Sequence, residues 1–299
     1  MTALLKFVQE FVQNKGQRIF FEQSSANGIL LFRETSSILC AYGSRILQVE
    51  TISDVYKEKY KGIRVLLDAL TFALSGNYVN FGVFALYNDR ALQNSLDVSL
   101  QLCLSIPLEE VMAYPKLSKA YFSYLEILFR HHLDVLAGLD SATFNELIRK
   151  NNEGLQCGDT AVICVCAMTI DHIATFLFLN QNRTGKPTYQ RIQGHVLSDP
   201  TMLDTLMNTL FSTLLFSSAA TCWPLTRPIL SVMLASRESF SRYIDQLASS
   251  QSPENQQLLR IEVEKIHLNV QESLDTPHRD KFTSKLTAFR LALRNFLNL

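Results

Sequence analysis

Three cysteines and a histidine, Cys157, Cys164, Cys166 and His172, come nearest to a metal site by residue type. Structural zinc takes its ligands in pairs separated by two to four residues, so that one turn brings both onto the ion. Here six residues separate the first two cysteines and one separates the second pair. On a helix Cys164 and Cys166 fall about 200° apart and cannot face a common ion. They are read as core residues. His131-His132 with Asp134 has the composition of an acid–base or metal cluster. The pair follows Arg130 at the end of an apolar helical pattern, where imidazoles and cations meet unpaired carbonyls, so capping is the expected role. His172, beside Asp171, is the most buried-looking histidine and is expected to be a satisfied core group.

Other signatures of chemistry fail on their surroundings. Gly185-Lys186-Pro187 lacks the upstream glycine and the strand that a phosphate-binding loop requires. Glu109-Glu110 follow Pro107 in a first helical turn, where carboxylates complement the helix dipole. There is no nucleophile elbow and no His-Glu-x-x-His helix. The expectation is no catalytic, cofactor-binding or metal-binding residue, and no enzyme.

The elements around these residues are helices. After Gly62, the residues Ile63, Leu66, Leu67, Leu70 and Leu74 recur at intervals of three and four. The same period links Leu92, Leu96, Leu100, Cys103 and Leu104. It returns in Leu117, Tyr121, Tyr124, Leu125 and Leu128, and in Phe282, Leu286, Phe289, Leu293, Phe296 and Leu297. This is the pattern of helices that bury one face. No run of period-two alternation competes with it, so the chain is expected to be all-α.

Proline positions agree. Pro107, Pro115, Pro200, Pro253 and Pro277 fall at or just before predicted helix starts, where the missing N–H costs nothing. Ser198-Asp199-Pro200 and Ser252-Pro253-Glu254 add a capping side chain. Pro224 and Pro228, around Trp223, predict a short or kinked helix. Ten or eleven helices are expected, starting near residues 3, 25, 54, 88, 116, 141, 159, 200, 226, 254 and 278. Consecutive pairs then repeat every 40–60 residues or so, at or above HEAT-like spacing. Periodicity by itself leaves a compact bundle open. One polar surface loop is expected at 181–190.

Length and composition suit a large buried core: 299 residues, 47% apolar, few Gly and Pro. The 28 basic residues balance 28 acidic ones, which argues against a nucleic-acid-binding protein. The six scattered cysteines, and an amphipathic helix directly after Met1, fit a reduced cytosolic or nuclear compartment. The triplet Asn182-Arg183-Thr184 is then a chance match to a glycosylation signal. Two apolar windows, 161–178 and 202–220, carry Asp171 and His172, and Asp204 and Asn208. Charge in mid-bilayer costs about 2.5–3.5 kcal/mol, so both are expected to be buried in protein. In the first helix, Leu4, Leu5, Phe7, Val8, Phe11 and Val12 form an apolar face broader than one neighbour covers. A preceding helix of a longer array is expected there. The basic residues Arg279, Lys281, Lys285, Arg290 and Arg294 of the last helix admit membrane or partner binding, with a solvated face as the plainer alternative.

Several runs together resemble the exportin-7/Ran-binding-protein family of the importin-β superfamily. They are Asn27-Gly28-Ile29-Leu30-Leu31-Phe32-Arg33-Glu34-Thr35-Ser36 and Ser75-Gly76-Asn77-Tyr78-Val79-Asn80-Phe81-Gly82-Val83-Phe84, with Leu86-Tyr87 and Asp89. Further along come Tyr114-Pro115-Lys116-Leu117-Ser118, Asp171-His172-Ile173, and Trp223 with Arg227-Pro228. Arg279-Asp280, Phe282-Thr283 and Ala288-Phe289-Arg290 complete the set. The run over 75–84 is the most specific, because its aromatics and glycines do not follow from amphipathicity; a structural role between helix pairs is expected for 76–81.

The resemblance implies a HEAT-like α-solenoid over residues 1–299, corresponding to the C-terminal repeats of a nuclear export receptor. Its implied partners are protein cargo, GTP-bound Ran and nucleoporins, without nucleic acid or membrane insertion. It would shuttle between nucleus and cytoplasm. In this superfamily the principal Ran surface belongs to the N-terminal repeats, so weak or absent Ran binding is expected of this chain. No cargo-binding residue is transferred. The alternative is an autonomous helical-repeat scaffold that binds proteins without Ran.

Overall fold

The computed structural model describes residues 2–13, 26–49, 53–75, 79–182, 185–216, 222–267 and 272–297. Among them are sixteen α-helices, one π-helical turn and no strand, so the all-α, HEAT-type expectation holds. The chain divides into two compact units, 1–131 and 132–299.

The first unit holds α1 (Thr2–Gln13), α2 (Ala26–Leu47), a π-helical turn (Tyr56–Tyr60), α3 (Lys61–Leu74), α4 (Gly82–Leu86), α5 (Ala91–Ser105), α6 (Leu108–Ala113) and α7 (Pro115–His131). Its centre is α3, which packs against α1, α2, α5 and α7. Ile63, Leu66, Leu67, Leu70 and Leu74 are buried as their period requires, joined by Val65, Ala69 and Ala73 on the other faces. Two glycines allow close approach. A Cβ on Gly43 of α2 would lie 2.5 Å from Val98 on α5, and one on Gly62 would collide with the Tyr42 ring.

The second unit holds α8 (Leu133–Ala137), α9 (Ser141–Gly154), α10 (Thr160–Asn180), α11 (Pro187–Ser198), α12 (Met202–Phe216), α13 (Cys222–Ala235), α14 (Arg237–Ser249), α15 (Pro253–His267) and α16 (Thr276–Arg294). Here α13 is central, contacting α10, α12, α14 and α16. In both units every major contact joins helices no more than four elements apart, the local pattern of helical-repeat packing. Carboxylates start several helices. Asp140 accepts from Thr143 N at 3.0 Å, and Asp159 accepts from Ala161 N at 2.8 Å.

Sixteen helices exceed the ten or eleven expected. Three of the additional ones, α4, α6 and α8, are five or six residues long, too short to display a period. The other two, α11 and α14, are polar and carry few apolar residues to reveal them. The loop expected at 181–190 therefore ends earlier: α11 begins at Pro187, a residue suited to a first helical turn. Pro224 and Pro228 do not cut the chain into short pieces either. A single 14-residue helix runs through Pro228, enclosed by four neighbours whose packing outweighs one lost backbone bond.

The α5 stripe also differs. Leu104 is 37% exposed, whereas Ser95 and Ser99 are buried. Their hydroxyls bond back to carbonyls one turn earlier, and Ser99 also meets the buried Tyr124 hydroxyl. Satisfied hydroxyls can occupy a core face at little cost.

Candidate interaction surfaces and the internal polar network

None of the suspected reactive clusters assembles. Cys166 is fully buried, and burial pushes its thiol well up. Cys157 and Cys164 are half-buried thiols, also raised by burial. Among the described residues no group of three or more His, Cys, Asp or Glu side chains could hold a metal. His131 is the last residue of α7, with Arg130 in the same final turn. His132 is the buried residue leading into α8, and Asp134 accepts from the Thr188 hydroxyl at 2.5 Å. Lys186 precedes the first turn of α11, and Glu109 and Glu110 lie in the first turn of α6.

His172 is only half-buried, which corrects the sequence reading. The apolar surroundings of α10 suggested burial, but the helix is not enclosed on every side. His195 on α11 is buried, as is His132, and its polar neighbours in the sequence disguised it. Its ring stacks on Phe144 with centroids 4.5 Å apart. One ring nitrogen lies 2.9 Å from the Ser141 hydroxyl, the other 3.2 Å from the Ala137 carbonyl. With both nitrogens partnered inside the core, the ring is a structural tie among α8, α9 and α11.

The densest polar site is built around Asp171. Arg279 Nη1 on α16 donates to Asp171 Oδ1 at 2.9 Å and to Oδ2 at 3.2 Å. Its Nη2 donates to Thr175 at 3.1 Å and its Nε to the Leu274 carbonyl at 2.9 Å. Ser231 of α13 donates to the same Oδ1 at 2.7 Å. A single carboxylate thus ties α10, α13 and α16, and Thr226 of α13 meets Thr283 of α16 at 2.9 Å beside it. The pair is largely shielded, with side chains 11% and 16% exposed.

This network also bears on the apolar helix α10. By length and composition α10 could cross a membrane. Half of that apolar stretch is buried, packed chiefly on α13, while Met168 and Leu179 stay exposed, and Asp171 is paired with Arg279 inside the fold. Nor do the basic residues of α16 form one open face. Arg279 is committed to Asp171, Arg294 donates to the Leu215 carbonyl at 3.0 Å, and Arg290 is half-buried.

Among the exposed apolar side chains of the described residues, those of α1 and of the end of α4 lie together in the chain. On α1 the stripe divides: Leu5, Val8 and Val12 are buried in a helix packed on α3, while Leu4, Phe7 and Phe11 are 46%, 66% and 40% exposed. The Phe7 and Phe11 rings stack at 5.9 Å. The end of α4 exposes Leu86 and the following Tyr87. Of the run over 75–84, residues 76–78 lie outside the described residues. Phe81, at the end of the stretch expected to be structural, has its ring 5.1 Å from Phe32 of α2, and Phe84 beyond it lies at the same distance from that ring.

Locally packed helices of this kind define a helical-repeat protein by class. No family model matches the chain. Its relatives are specific. It is 39% identical over 298 residues to Exportin-7-B of Xenopus laevis, covering 97% of this chain and 27% of that protein. To human Ran-binding protein 17 it is 34% identical over 300 residues, 97% of this chain and 28% of the relative. To Exportin-7 of Dictyostelium discoideum it is 32% identical over 298 residues, 98% and 29%. Nearly the whole chain is homologous to the exportin-7/Ran-binding-protein family, in its C-terminal region. The chain spans about a quarter of the length of these relatives.

Proposed function

We propose that this chain is the C-terminal part of a nuclear export receptor, which carries folded protein cargo out through the nuclear pore under the control of GTP-bound Ran. The observation that carries this reading is homology along nearly the entire chain to proteins named exportins and Ran-binding proteins. Locally packed helix pairs add physical support: they present extended faces to large partners and flex through small adjustments between neighbours. Cargo and Ran would then reinforce each other by favouring the same curvature, a reciprocal coupling of about 1–3 kcal/mol.

The same proposal covers the rest of the assignment. Residues 1–299 act as a single solenoid segment, soluble, without catalytic activity or nucleic-acid binding. The protein touches nucleoporins in transit and distributes between nucleus and cytoplasm. The principal Ran surface belongs to the N-terminal repeats of the full-length receptor.

The test is cargo capture from extract by a full-length receptor carrying this segment, with Ran loaded with GTP or GDP. Retention that rises with GTP-bound Ran is expected; indifference to the nucleotide overturns export. Residues 1–299 alone should bind Ran weakly or not at all, and submicromolar binding would place a Ran surface in this segment. Cargo capture that ignores Ran altogether would favour the autonomous scaffold.

A further inference from the structure

A cavity of about 310 Å³ opens between α2 and the start of α5, lined by Arg33, Ser36, Ser37, Cys40, Arg90 and Asn94 together with Ala91 and Asp89. Its charges are unequally committed. Asp89 contributes one negative charge to the lining, its Oδ1 accepting from Ala91 N at 2.8 Å at the start of α5, against the two positive charges of Arg33 and Arg90. Among the described residues Arg33 pairs its Nε with Glu34 at 3.3 Å, an exposed contact worth little in water. Arg90 has no ion pair among the described residues. Two guanidinium groups from different elements therefore border one recess, and planar bidentate donors of this kind select carboxylates and phosphates.

The adjoining turn is hydrogen-bonded and apolar. Asp89 N donates to the Phe84 carbonyl at 2.8 Å and Asn88 N to that of Ala85 at 3.3 Å, with Asn88 at φ 54° in the left-handed region. This doubly bonded closure of α4 holds the chain in one conformation. It leaves Leu86 and Tyr87 75% and 74% exposed, while Phe84 behind them is buried. Large apolar side chains held out on an ordered turn lose little entropy on binding.

We propose that this face binds an extended acidic segment of a protein partner, one carboxylate entering between Arg33 and Arg90 and a neighbouring apolar side chain lying on Leu86 and Tyr87. A free inorganic anion would use the guanidinium groups and leave the apolar turn idle; the juxtaposition favours a peptide. The site goes beyond the transport reading and does not depend on Ran, so it stands or fails separately from the nucleotide-dependent capture.

Residues 1–299 should be titrated against a fluorescein-labelled Glu-Glu-Phe-Glu-Glu-Leu-Glu peptide and its all-glutamine counterpart by fluorescence anisotropy. The acidic peptide should bind, and more weakly as salt rises. Arg33→Glu with Arg90→Glu should weaken it at least about tenfold, as expected for reversing two charges at a contact. Tyr87→Ser, a surface change that spares the guanidinium groups, should weaken it several-fold. Circular dichroism melts matching the wild type would show that both variants fold; if the double charge reversal does not fold, Arg90→Gln takes its place. Any of four results overturns the proposal: no binding at about 1 mM peptide, equal binding of the glutamine peptide, indifference to the arginine changes, or displacement by equimolar phosphate with no effect of Tyr87→Ser.

Discussion

Asp171 on α10 and Arg279 on α16 are 108 residues apart in the chain and 2.9 Å apart in the fold. Arg279 places all its donor nitrogens on partners in this corner, and Ser231 completes the carboxylate. Arg279→Met should lower unfolding stability by about 2–4 kcal/mol, because it strands a shielded carboxylate. Adding Asp171→Asn should cost less than the sum of the single changes. Denaturant melts of the four proteins measure this, and strict additivity would show that the pair is not coupled.

His195 is held by a ring contact and two polar neighbours inside the second unit. His195→Phe keeps the stack on Phe144 but leaves Ser141 and the Ala137 carbonyl without their partner. A loss of about 1–3 kcal/mol is expected. A thermal melt indistinguishable from wild type would mean that water satisfies both groups.

Gly43 sits where α2 meets α5, with Val98 2.5 Å from the position of an added Cβ. Gly43→Ala should therefore destabilise the first unit by about 1–3 kcal/mol, despite the better helix propensity of alanine. At Gly194 an added Cβ meets nothing within 4 Å, so Gly194→Ala should be neutral or stabilising. Equal melts for the two variants would contradict the packing at Gly43.

The Asp140 carboxyl caps α9, and the hydroxyl and N–H of Thr143 hold it below the usual carboxylate range. A depressed folded value means that its stabilising contribution is present above the unfolded value of about 3.9 and is lost as pH falls through the folded one. Asp140→Asn keeps an acceptor for the cap and removes the titration. Its stability relative to wild type should therefore improve as the pH drops below about 4. Parallel pH profiles for the two proteins would exclude the charge effect.

Burial raises the Cys157, Cys164 and Cys166 thiols, so little thiolate exists at neutral pH. Mass spectrometry after alkylation should find Cys164 and Cys157 labelled slowly, and Cys166 labelled only as fast as the second unit opens. Rapid modification of Cys166 in folded protein would be incompatible with its burial.

Helical period in Leu66, Leu67 and Leu70, or in Phe282, Leu286 and Phe289, reports directly which side of a helix leaves water. Those faces and the all-α class are legible because they depend on residues within two or three turns. The proline signals at Pro115 and Pro253 are equally local, whereas the polar residues after Pro187 concealed the helix it begins. By contrast, nothing near Asp171 specifies Arg279 as its partner, and nothing near His195 announces the Phe144 ring.

Amino-acid order therefore determined which segments coil and which stripes they hide. Only tertiary packing decided which stripes meet and which polar groups become partners. It also set which half of the α1 face stays open and where Arg33 and Arg90 border one recess. The reason is physical: hydrophobic burial is non-directional and identifies a face without naming its neighbour, whereas a hydrogen bond or ion pair requires a geometry that distant parts of the chain supply together.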